Sequence, residues 1–300
     1  MSYFSIGLVL VSSLFHAVWN ILTQTSQNSQ YFSGLKGIWI IVLGAGFFLF
    51  IEDVRQLDAE LLVWAGLSGV IHGLYILSLS RAYHTQDISY VYPIARSAPV
   101  FVPVFAFFLL GEQISFITAL AIVIILVAIY ILHFDGHLIR GFKNLFDAII
   151  HRDLRWAFYT LAMVVAYSLV DKKGMDIFFQ SFPERTFMNG ATFFFLESAV
   201  GFTLCNIYLT AVHPMRDILS VWKKEWKTAF LAGVATLLSY GLICVVLQFE
   251  PVSSVVAVRQ TSVLMVVYWG CWRLGEPFGR ERLLAGTLTG VGVGIMAFAS

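Results

Sequence analysis

Apolar residues run in blocks of about twenty along this chain, and short polar connections separate the blocks. They fall at roughly 4–23, 33–51, 61–80, 88–110, 114–134, 155–171, 186–211, 228–247, 251–276 and 283–299. A helix rising about 1.5 Å per residue crosses the hydrocarbon of a bilayer with about 20 apolar residues. The pattern therefore predicts an all-α integral membrane protein with ten transmembrane helices. Two further stretches are amphipathic. In His137–Leu154 the apolar Leu138, Phe142, Leu145, Phe146 and Ile149 follow helical spacing, with Arg140, Lys143 and Asp147 off that face. That spacing predicts a helix lying in the interface. Asp217–Lys227, with Trp222 and Trp226 suited to the headgroup level, reads as a second interfacial piece. Gly286, Gly290 and Gly294 in the last block repeat every four residues, a close-packing face suited to a homodimer contact.

One pattern occurs twice. Ile88–Glu112 and Pro251–Glu276 each open on a helix-start signal, Asp87 before the first and Pro251 in the second. Each carries one mid-helix arginine, Arg96 or Arg259, and each ends on Leu-Gly-Glu, at 110–112 and 274–276. Glycine closes one helix there, and glutamate suits the opening of the next. With five spans per half, the second half enters the membrane from the opposite side. The expected organisation is two inverted five-helix repeats, 1–134 and 155–300, joined by the amphipathic linker 135–154, with a midplane site between them.

Composition narrows the class. Hydrophobic residues make up 59% of the chain and charged residues 12%, with a mean hydropathy of +0.81. Soluble domains carry about a quarter charged residues, so a soluble globule is excluded. The net charge of +1 gives no case for nucleic acid. Cys205, Cys244 and Cys271 lie in apolar runs and read as small hydrophobes, not disulfides or metal ligands. The first block lacks a basic leader and reads as a retained helix, not a signal peptide. Most basic loop residues, among them Arg140, Lys143, Arg216, Lys223, Lys224, Arg280 and Arg282, follow odd-numbered spans, which places both termini outside by the positive-inside rule.

An arginine at membrane depth is costly and marks a pathway or a binding site unless it only pairs a carboxylate to hold helices together. Glu197 is the clear mid-span carboxylate, suited either to carry a proton or to pair one arginine. The unpaired arginine then needs an anion, which a substrate carboxylate or phosphate supplies. Pro93 and Pro99 flank Arg96 and each remove a ladder donor, so that helix is expected to kink. Polar stripes at Ser12, His16 and Asn20, and at Ser68, His72 and Tyr75, face protein or a cavity. Lys36 reads as snorkelling to the interface, and Asp171-Lys172-Lys173 as a helix end at the water boundary. His133 and His137 have metal-like spacing but read as a solvated pair. Gly66-Leu-Ser68-Gly69 matches the GxSG of intramembrane serine proteases, an alternative that needs a histidine base such as His16.

His16-Ala-Val-Trp-Asn20, Tyr92-Pro-Ile-Ala-Arg96-Ser97, the paired Leu-Gly-Glu turns, Tyr167-Ser-Leu-Val-Asp171-Lys172 and Pro251-Val-Ser253 together resemble EamA-type members of the drug/metabolite transporter superfamily. The resemblance spans both halves. It implies two five-helix inverted repeats, export or exchange of small metabolites across the cell membrane, no cofactor and no nucleotide hydrolysis. It also implies cytoplasmic termini, against the charge count. Similar sequences carry an acidic residue after the ninth-span arginine. Gln260 stands there in this chain, which speaks against a proton carrier at that position. The expected protein is a secondary transporter, not an enzyme, of a small anionic or zwitterionic metabolite. Its expected substrate contacts are Arg96, Arg259, Tyr92, His16, Asn20, His72 and Gln260, with Glu197 as the proton or ion-pair carrier.

Overall fold

A computed structural model of the chain describes residues 1–50, 57, 59–85, 94–95, 97–134, 136–151, 154–274 and 279–298. Its regular elements are all helices: α1 (Tyr3–Gln24), α2 (Ser29–Phe50), α3 (Ala59–Thr85), α4 (Ala98–Leu110), α5 (Phe116–His133), α6 (Leu138–His151), α7 (Arg155–Ser181), α8 (Thr186–Val212), α9 (Met215–Leu247), α10 (Val252–Arg259), α11 (Thr261–Leu274) and α12 (Arg280–Phe298). Five of them, α1, α2, α3, α8 and α9, are long and apolar enough to cross a membrane. Shorter apolar helices fill 98–110, 116–131 and 252–265. With no water in hydrocarbon to bond exposed amides, the helix is the element that satisfies its own backbone.

The chain divides into two compact units, and neither coincides with a sequence half. One comprises 1–13, 78–169 and 250–300, the other 14–77 and 170–249. In the first, α12 packs along α5, and α10 lies against α4 and α5. The face of α12 that enters this packing is Ala285, Thr289, Gly292 and Met296. A Cβ on Gly292 would stand 2.6 Å from Ile125 and 3.1 Å from the Ala121 carbonyl, while Gly290 and Gly294 have open space beside them. In the second unit α2, α8 and α9 pack mutually. Its small-residue contacts include Ala229 and Ala232 of α9 against Phe32 and Leu35 of α2.

Burial on α4 is inverted relative to a water-soluble helix. Its covered face is Ala98, Pro99, Val102 and Ala106, and the outward face is Phe101, Val104, Phe105, Phe108 and Leu109. Large aromatics pointing outward from small buried residues suit lipid, not water.

Four expectations change in detail. The fourth and ninth spans are not single helices: α4 starts at Ala98, and the ninth is broken between α10 and α11 at Gln260. The sixth span does not end at Asp171, because α7 runs on to Ser181. The piece 217–227 is no separate helix, since α9 continues unbroken from Met215 to Leu247. The Leu-Gly-Glu turn also works differently. Gly111 sits in the left-handed region at φ 69° and closes α4. Glu112 does not open α5, whose N-cap is Ser115, accepting from the Thr118 N–H at 3.1 Å. Instead the Glu112 carboxylate accepts from the Val252 N–H at 2.7 Å and the Ser253 hydroxyl at 2.8 Å, capping α10.

Candidate functional site

Two constellations of polar groups lie in otherwise apolar surroundings, one in each unit. The first surrounds the breaks of the fourth and ninth spans. The Ser97 N–H donates to the Ile94 carbonyl at 3.0 Å and the Val100 N–H to the Ser97 carbonyl at 2.9 Å. The Gln260 N–H donates to the Ala257 carbonyl at 3.1 Å and the Val263 N–H to the Gln260 carbonyl at 2.9 Å. Both breaks thus tighten to three-residue bonds around the residue that follows the arginine. Pro99, in the first turn of α4, is well placed after such a break because that position needs no donor. No proline or glycine marks the break at Gln260.

At that second break the polar groups are left over. The Gln260 side-chain oxygen and the Thr261 and Ser262 hydroxyls are buried with no hydrogen-bond partner among the described residues. A buried orphan of this kind costs about 1–3 kcal/mol. Thr261 and Ser262 form the first turn of α11, where backbone N–H groups and the positive end of the helix dipole face outward. The half-buried Arg259 precedes them, and its carbonyl accepts from the Ser13 hydroxyl at 3.4 Å. Donors, an acceptor and a guanidinium in adjacent positions suit a ligand with both an anionic group and a donor group.

The second constellation joins α3, α7, α8 and α9. The Ser68 hydroxyl lies 2.5 Å from Asp171 Oδ1 and 2.7 Å from Glu197 Oε2. The Tyr240 hydroxyl donates to Asp171 Oδ2. His72 Nδ1 stands 3.1 Å from the Ser68 carbonyl and 3.4 Å from Glu197 Oε2. One hydroxyl has a single proton, so it donates to one of these carboxylate oxygens, and the other contact needs a proton on that carboxyl or a cation between the groups. The ligand atoms of His72, Asp171 and Glu197 all lie within 4.8 Å of one another, a donor set that a cation would also accept.

Glycine creates this proximity. A Cβ on Gly69 would sit 2.5 Å from the Glu197 carbonyl, and one on Gly201 would sit 2.9 Å from the Gly69 carbonyl. Their absence lets α3 and α8 cross at backbone contact. The GxSG sequence is explained by that crossing, and Ser68 is committed to carboxylates, so nothing favours the protease reading.

Of the expected site residues, His72 and Glu197 come together here, and Arg259 and Gln260 at the ninth-span break. Tyr92 and Arg96 lie outside the described residues. Asn20 donates to the His16 carbonyl at 2.7 Å, within its own helix, and the His16 ring meets Trp19 edge-on at 4.9 Å. Asp171 and Tyr240 were not expected. Asp171 is fully buried in mid-helix, not at a water boundary. Lys36 does not snorkel: it is 4% exposed, with its ammonium 4.0 Å from the centre of the Trp19 ring and no carboxylate in pairing range among the described residues.

Comparison with known proteins follows the same line. The EamA-like transporter family matches over residues 3–134. No curated protein matches the chain. A crystal structure of 12% sequence identity superposes with a TM-score of 0.73, over 100% of this chain and 99% of its own, which shows the fold alone.

Proposed function

We propose, from the match of residues 3–134 to the EamA-like transporter family of the drug/metabolite transporter superfamily, that the protein is a secondary transporter of a small anionic or zwitterionic metabolite in the cell membrane. It works by alternating access with ten spans arranged as two inverted five-helix repeats. The observation that carries the reading is the ninth-span break. Buried polar atoms with no hydrogen-bond partner among the described residues, beside an arginine and a helix N-terminus, support a polar ligand at this break. The matching break after Arg96 supports a two-sided site that draws on both repeats. Substrate carboxylate or phosphate lies on Arg259, Arg96 and the α11 amides, and a substrate ammonium or hydroxyl donates to Gln260.

Glu197 is the proton carrier in this reading, sharing its proton with Asp171 through Ser68. Solute gradients drive exchange, and substrate shifts the balance of inward- and outward-open states by its differential affinity for them. The test is counterflow in proteoliposomes against a pooled library of amino acids, organic acids and phosphorylated metabolites. Arg96→Lys and Arg259→Gln are expected to keep expression and folding while lowering transport at least about tenfold, the equivalent of about 1.4 kcal/mol of binding. Normal transport by both variants, or failure of both to fold, makes the arginines structural and removes the anionic substrate.

A further inference from the structure

The first turns of α9 carry a cluster of basic side chains outside the two polar constellations described above. Arg216, Leu219, Ser220, Lys223 and Lys224 line an open groove of about 630 Å³. Their spacing of three and four residues puts them on one face of a single helix. No acidic side chain lines the groove, and none of its three cations makes an ion pair or hydrogen bond among the described residues. Of the nearby acids, Glu225 accepts from the Gln27 N–H at 3.0 Å, and the Asp217 side chain is not part of the groove lining, where the Ser220 hydroxyl donates to the Asp217 backbone carbonyl at 2.7 Å. The amides of the α9 N-terminus add their own positive potential.

Depth selects the occupant. The membrane-crossing stretch of α9 follows directly on the groove without a break in the helix. Trp222 donates to the Tyr31 carbonyl at 2.7 Å and Trp226 is 47% exposed, placing amphipathic rings at the same level as Lys223 and Lys224. The exposed Leu219 sits among the charges and supplies apolar surface at the same level. Three unneutralised cations, a hydroxyl and an apolar side chain at headgroup depth match one chemistry. We propose that this groove binds the headgroup of an anionic phospholipid, its phosphate between Arg216, Lys223 and Lys224 and its glycerol and acyl chain along Leu219. The site is independent of what the protein transports.

The test needs no transport substrate. The full chain is reconstituted in nanodiscs of phosphatidylcholine containing about one quarter phosphatidylglycerol, then released into detergent and weighed intact with its retained lipid. Phosphatidylglycerol is expected to be retained over phosphatidylcholine, by about fivefold for each groove cation near an anionic surface. Arg216→Gln/Lys223→Gln/Lys224→Gln is expected to reduce retention to the phosphatidylcholine level. Arg185→Gln, at the far end of α8, is expected to change nothing. Should the triple variant not fold, the three single variants each show a stepwise loss of about fivefold. Retention that survives the substitutions overturns the proposal. So does displacement of the lipid by millimolar inorganic phosphate, which makes a free anion the occupant.

Discussion

Ser68 has one proton to give and two carboxylates within reach of it. Replacing either acid with its amide keeps shape and most hydrogen bonds but fixes the donor pattern, so Asp171→Asn and Glu197→Gln separate structure from proton handling. Both are expected to keep stability within about 1.5 kcal/mol, the net worth of one hydrogen bond. Proton movement, followed with a pH-sensitive dye during counterflow, is expected to be lost in both. Unchanged proton movement in the two variants removes the cluster from coupling. The sequence showed Glu197 because a lone acid inside an apolar run stands out. Asp171 was hidden by its neighbours, since Lys172 and Lys173 make the local hydropathy fall as it does at a water boundary. Lys172 in fact pairs Asp176 one turn on at 2.6 Å and reaches the Leu247 carbonyl at 2.8 Å. Partners of Asp171 come from 69 and 103 residues away, beyond any local reading.

Among elements, the turn at Gly111 and Glu112 is the one whose two halves answer to different helices. Gly111→Ala forces a Cβ into the left-handed region and is expected to cost about 1–2 kcal/mol, read as a lowered unfolding midpoint in detergent. Glu112→Gln weakens the charge-assisted cap on α10 and is expected to cost about 1 kcal/mol by the same measurement. A midpoint unmoved by Glu112→Gln would mean water replaces the carboxylate at no loss. The apolar period announced α1, α2, α3, α8 and α9, and helical spacing announced α6. Prolines announced the break before α4. The break at Gln260 had no such signal, because tertiary packing of α10 against α4 and α5, not a chain-breaking residue, accompanies it.

At the scale of the whole molecule, hydropathy gives spans but not which side of the membrane each end occupies. Charge placed 135–154 and 212–227 in the cytoplasm, whereas the family resemblance places the termini there. Single cysteines introduced in those two stretches, on a background without Cys205, Cys244 and Cys271, decide it. They are expected to resist impermeant thiol reagents in intact cells, and ready labelling would establish the opposite orientation. The interleaving of the two sequence halves in both units was likewise absent from the linear pattern, which orders residues by chain and not by contact. One element also sets a mechanical scale. From Met215 to Leu247 the helix α9 runs 33 residues without interruption, about 50 Å at 1.5 Å per residue, against about 30 Å of hydrocarbon. Arg216 and Tyr240 are rigidly connected along it, about 36 Å apart by the same rise. A tilt of about 10° pivoting at Tyr240 would sweep Arg216 through about 6 Å. A small rotation about the buried carboxyls would therefore appear as a displacement of several ångströms at the far end of the helix.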